Sequence, residues 1–68
     1  MTRIYDEQTT STALALIGQY GRDAEVIAVM RAAEFAAIGD AEGLAAWDAI
    51  IACVAAIEAG DVLARPIQ

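Results

Sequence analysis

The sequence contains no histidine, one cysteine, one proline and only four basic residues, all of them arginine. Without histidine, the chain lacks the commonest general base and cannot form a Ser-His or Cys-His catalytic pair. A single cysteine cannot form a disulfide within the chain, and without histidine it cannot complete a zinc site. These absences predict a protein that is not an enzyme and that holds no metal or other cofactor.

Negative charge dominates what remains, with a net charge of −6. From Asp23 to Asp61 there are eight acidic residues and one basic residue, Arg31. This field repels nucleic acid and anionic membranes. The longest purely apolar run, residues 49–57, is too short to cross a bilayer. The N-terminal residues 1–7 do not have the basic and then apolar pattern of a secretion signal. We therefore expect a cytoplasmic protein without direct binding to nucleic acid or membranes.

Three Gly-Asp sites divide the chain: residues 21–23, 39–40 and 60–61. Glycine ends helices in a left-handed conformation, and aspartate begins them by accepting hydrogen bonds from the first turn. The sites predict helices at about 11–20, 24–38 and 41–59, the second and third capped by Asp23 and Asp40. The first helix has earlier possible starts at Arg3 or Asp6. Residues 1–9 are expected to form a flexible arm and residues 61–68 a short tail.

The predicted fold class is all-α, with residues 1–68 as a single helical domain. The links between the helices are two or three residues long, so consecutive helices must be neighbours. We expect a small three-helix bundle built on an antiparallel hairpin of the second and third helices. The third helix carries a broad apolar stripe, formed by Leu44, Trp47, Ile50, Ile51, Val54 and Ile57. Cys53, among apolar neighbours, is expected to be a small buried hydrophobic residue.

The second helix is apolar on nearly all sides. One face carries Val26, Val29, Met30, Ala33, Ala36 and Ala37, and another side carries Ile27, Phe35 and Ile38 beside Arg31 and Glu34. A helix that is apolar all round is normally buried all round, which a 68-residue chain cannot achieve alone. The pattern predicts a protein–protein interaction module that is a homodimer or binds another protein. The predicted partner-binding residues are Ile27, Arg31, Phe35, Ile38 and Trp47.

The acidity leaves a second function open, that of an inhibitor occupying the basic, nucleic-acid-binding groove of a host or defence enzyme. The acids that would serve it are Asp23, Glu25, Glu34, Asp40, Glu42, Asp48, Glu58 and Asp61. Asp40 and Glu42 are also the nearest pair for a hard cation, but the spacing of a calcium loop is missing. A helix cap and a favourable dipole contact explain this pair better.

From Tyr20 onward the chain resembles a domain-of-unknown-function family of short α-proteobacterial helical proteins. The residues that carry the resemblance are Tyr20-Gly21, Asp23-Ala24, Arg31, Phe35, Gly39-Asp40, Gly43, Trp47 and Ile50. The resemblance covers roughly half of the chain. It implies a helical fold and a bacterial origin, and it brings no assigned activity, cofactor or partner.

Overall fold

The computed structural model describes residues 5–60, and within them the fold is all-α. Helix α1 spans Glu7–Tyr20, a 3-10 turn spans Gly21–Asp23, α2 spans Ala24–Ala37 and α3 spans Ala41–Ala59. The predicted all-α class is therefore confirmed. Residues 1–4 of the expected arm and all of the expected tail lie outside the described residues, as does Asp61 of the third Gly-Asp site.

The first Gly-Asp site bends the helix without breaking it. Every residue from 7 to 37 is helical, since the 3-10 turn connects α1 directly to α2. The described chain therefore consists of two helical rods, the first bent at Gly21–Asp23, and the predicted separation into three helices is corrected. The predicted cap at Asp23 is also wrong. Its backbone has ψ 0°, not the extended conformation of an N-cap, and its side chain makes no capping hydrogen bond.

Two other aspartates do cap helices. Asp40 is extended, and its Oδ1 accepts the N–H of Gly43 at 2.9 Å, which confirms the predicted cap of α3. Asp6 acts in the same way for α1, accepting the N–H of Thr9 at 2.7 Å. Helix α1 consequently begins at Glu7 and includes part of the segment expected to be an arm. Asp6 was the later of the two alternative starts.

A tight turn ends α2 and returns the chain along it as α3. Gly39 has φ 73°, and its N–H donates to the carbonyl of Ala36 at 3.2 Å. The N–H of Asp40 donates to the carbonyl of Phe35 at 3.0 Å. These two bonds form a Schellman motif, which needs a positive φ at the glycine. The last residue of α2 is Ala37, one residue before the predicted end.

Small side chains form most of the core, where α3 packs against both halves of the bent rod. The buried residues are Ala13 of α1, Ala24, Ala28 and Ala32 of α2, and Ile50, Cys53, Val54 and Ala56 of α3. Trp47, Ile51 and Ile57 of the predicted α3 stripe pack against this core while remaining partly exposed. The predicted burial of Cys53 is confirmed, and desolvation raises the pKa of its thiol.

The α2–α3 contact is closest near the turn, where the Phe35 ring lies over Gly43. A Cβ atom at Gly43 would come within 2.7 Å of Cε1 and Cγ of this ring, a separation that real Cβ atoms do not show. Farther from the turn, Ala24 and Ala28 share the core with Ile50 and Val54. Small residues on one side of the contact let the two helices approach closely.

Candidate interaction surface on α2

The largest exposed apolar side chains of the described chain include three neighbours on one side of α2. Val26, Val29 and Met30 keep 57%, 47% and 55% of their surface exposed. With Ala33, Ala36 and Ala37, which are also exposed, they form a continuous strip that we call the outer face. Three- and four-residue spacing places these positions on one side of a helix. The outer face lies opposite the buried stripe of Ala24, Ala28 and Ala32.

The arrangement of α2 is the reverse of the usual one, because its buried side chains are all alanine while its valines and its methionine are exposed. Alanines at every fourth position leave room for Ile50 and Val54 of α3 to fill the space between the helices. Turning α2 so that valine and methionine faced inward would force the helices apart. Close packing of α3 against an alanine stripe therefore leaves the outer face uncovered by any other part of residues 5–60.

A second strip, which we call the charged flank, borders the outer face on one side. It consists of Ile27, Arg31, Glu34 and Ile38, spaced four, three and four residues apart. Nη1 of Arg31 lies 3.3 Å from Oε1 of Glu34, and these side chains are 51% and 62% exposed. The Ile38 residue is 74% exposed, more than any other large apolar residue among positions 5–60. The charged flank therefore presents one positive and one negative group between two isoleucines.

The five predicted partner-binding residues fall in three places. Ile27, Arg31 and Ile38 lie together on the charged flank, with Ile27 half-buried and the other two exposed. Phe35 is half-buried on the inner side of α2, against Gly43. Trp47 lies on α3 and packs partly against the core. The structure thus brings three of the five together, and their role in binding stays a prediction.

Sequence reasoning did not single out Val26, Val29 and Met30 as binding residues, although it placed them on one face. The signal that would have found them is the spacing of Ala24, Ala28 and Ala32. This is a four-residue repeat of small side chains on the opposite side of the same helix. Such a stripe permits close helix contact and so makes this side a candidate for the inner face.

Two shallow depressions lie elsewhere on the described surface. One, of about 200 Å³, adjoins the α2–α3 turn between Phe35 and Leu44. The other, of about 330 Å³, lies between the start of α1 and the middle of α3, and Asp6 and Thr9 on its wall are already bonded to each other in the cap. Within residues 5–60, no three cysteine, aspartate or glutamate side chains are grouped suitably for a metal ion. No helix in that range has the length and apolar character needed to cross a membrane.

Comparison with known proteins adds no relative: the chain matches no protein-family model, no curated protein and no solved structure. The resemblance to short α-proteobacterial proteins over residues 20–50 therefore stays a prediction. The outer face and the charged flank remain the features from which a function can be inferred.

Proposed function

We propose that the protein is a small non-enzymatic interaction module that forms a homodimer through the outer face of α2. The observation that supports this function is the exposure of Val26, Val29 and Met30 in a structure whose buried residues, among positions 5–60, are mainly alanine. An exposed apolar strip with a charged border is typical of a protein–protein contact. Two copies of α2 packed together, each backed by its own α3, would also bury the second apolar side of α2, as its sequence predicts.

The energy available from this face indicates a weak dimer. Complete burial of one valine or methionine side chain contributes about 1.5–3 kcal/mol. Since about half of each of the three side chains is still exposed, each contributes about 1 kcal/mol, or about 6 kcal/mol for both copies. Association itself costs about 4–15 kcal/mol. The three side chains therefore offset only the low end of this cost and leave about 2 kcal/mol at best. A dissociation constant of about 1 mM needs about 4 kcal/mol, so the exposed alanines and the charged flank must contribute the remainder.

Sedimentation equilibrium across about 10 µM to 1 mM tests the dimer. The wild-type chain should show a mass that rises above that of one copy as concentration increases, and Met30→Glu should stay monomeric because a buried unpaired carboxylate is costly. Ala45→Glu is the matched control, since it adds the same charge at an exposed α3 position outside the outer face. It should dimerise like the wild type. A wild-type chain that stays monomeric throughout the range would overturn the proposal.

The acidic-inhibitor function is the second candidate, supported by the exposure of the acids from Asp23 to Glu58. All seven that lie among the described residues are exposed. Two have structural roles: Asp40 caps α3, and Glu34 pairs with Arg31.

Salt dependence separates the two functions. Added salt screens the repulsion between two chains of charge −6 and should therefore strengthen an apolar homodimer. Binding of the chain to a basic groove would instead weaken steeply with salt, and weaken further in Glu42→Gln/Asp48→Asn.

A further inference from the structure

We propose that the second copy lies antiparallel to the first across the outer face of α2, with Arg31 of each copy paired to Glu34 of the other. This inference rests on the proposed homodimer and specifies its geometry. Two independent properties of α2 support it: the distribution of side-chain size along the outer face and the order of charges along the charged flank.

Side-chain size along the outer face differs between its two halves. The N-terminal half carries Val26, Val29 and Met30, and the C-terminal half carries only alanines, at positions 33, 36 and 37. An antiparallel partner places the large half of each helix on the small half of the other, so that Val26 faces Ala37 and Met30 faces Ala33. Large against small in every layer gives interdigitated packing. A parallel partner would set large against large at one end and leave a gap between alanines at the other.

The charged flank has the same residue spacing in both directions along the helix, but the order of its positive and negative charges is reversed. Its spacing of four, three and four residues is symmetric, so reversal places Ile27 beside Ile38 and Arg31 beside Glu34. A two-fold axis makes every such contact occur twice, once from each copy. In antiparallel helix pairs each flank faces the same flank of the partner. The dimer would then have two intermolecular ion pairs between two pairs of isoleucines.

A parallel arrangement offers Glu34 no partner. It would place the charged flank of one helix against the opposite edge of the other, which carries Glu25 and Ala36. Neither residue can pair with Glu34, and Arg31 meets an acid there only in Glu25, which lies six residues earlier along the helix. Both the packing and the charges of α2 therefore favour the antiparallel orientation.

Disulfide trapping tests the orientation. Val26→Cys and Ala37→Cys are made separately on a Cys53→Ala background, because Cys53 is the chain's one native cysteine. Circular dichroism checks that each variant keeps its helices. In an antiparallel dimer the two new thiols face each other across copies and should form a mixed disulfide on mild oxidation, whereas neither variant alone should cross-link efficiently.

Self-cross-linking of Val26→Cys at the rate of the mixture would show a parallel dimer and overturn the inference, while leaving the homodimer intact. A dimer in sedimentation that forms no disulfide in any combination would also overturn it. A sample that is monomeric and does not cross-link would contradict the proposed function itself.

A charge exchange gives a second test that introduces no cysteine. Arg31→Glu makes the flank wholly negative and Glu34→Arg makes it wholly positive, so each variant alone should dimerise about tenfold more weakly. Glu34→Arg should weaken even though it changes the net charge from −6 to −4. An equal mixture should recover wild-type affinity, because each Glu then faces an Arg on the other copy. Tighter self-association of Glu34→Arg, or no recovery in the mixture, would contradict the antiparallel pairing.

Discussion

Replacing Gly43 by alanine tests the closest contact in the fold. Alanine at an ordinary helical position is more stable than glycine by up to about 1 kcal/mol. At Gly43 the new Cβ would come within 2.7 Å of Cε1 and Cγ of Phe35. Because Cγ is the base of the ring and not a flexible end, rotation of the ring cannot relieve the overlap. Overpacking of this kind costs about 1–3 kcal/mol. We therefore expect a net loss of about 1 kcal/mol, or a fall in Tm of about 4–8 °C.

Gly18 provides the matched control because it is also a helical glycine, and a Cβ added there would meet nothing within 4 Å beyond the adjoining backbone of its own helix. Gly18→Ala should raise stability while Gly43→Ala lowers it, both measured by thermal and urea unfolding at one fixed protein concentration. Adding Phe35→Ala should make Gly43→Ala stabilising, since the overlapping ring is then absent. Equal stabilisation by Gly18→Ala and Gly43→Ala would refute the close contact between α2 and α3.

Two further predictions concern the helix caps. Asp40→Ala should lower the free energy of unfolding by about 1 kcal/mol, whereas Asp23→Ala should lower it by less than about half of that. The reason is that, of these two aspartates, only Asp40 bonds to a helix N–H. Equal losses in urea unfolding would contradict the different roles assigned to them. The N–H of Thr9 lowers the pKa of Asp6 below its ordinary value of 3.8, so the ionised cap should stabilise α1 above that pH and be lost as pH falls through the lowered pKa. The amide proton shift of Thr9 should follow this titration in NMR spectra; a midpoint at or above 3.8, or an unchanged titration in Asp6→Asn, would contradict the cap.

Local signals in the sequence were sufficient to locate the turns but not to predict their geometry. Gly21, Gly39 and Gly60 are the described residues with positive φ, and they are the glycines of the three Gly-Asp sites. Whether a following aspartate caps a new helix depends on its ψ, which differs between Asp40 at 93° and Asp23 at 0°. At the first site the chain continues through Gly21–Asp23 as a 3-10 turn. Composition alone does not distinguish a bend from a break.

The orientation of α2 could not be predicted from hydrophobicity, because valine, methionine and alanine are all apolar. A prediction based on polarity gives α2 several equivalent faces, and one based on size favours burial of the larger residues. The fold instead buries Ala24, Ala28 and Ala32, since α3 supplies the large side chains at that contact. The choice depends on the complementarity of two helices, which no property of one helix determines.

Complementarity of size also connects the core of the single chain to the proposed dimer. On its inner side, α2 presents alanine to the isoleucine and valine of α3, and this pairing of small with large allows close contact. The outer face contains large and small halves on the same helix, so a reversed copy of α2, unlike a parallel one, would provide the same pairing along its whole length. In the inner contact, α2 contributes the small side chains. In the proposed outer contact, each α2 would contribute large side chains from its N-terminal half and small ones from its C-terminal half. A single packing rule thus accounts for the buried alanines and for the orientation that we infer for the second copy.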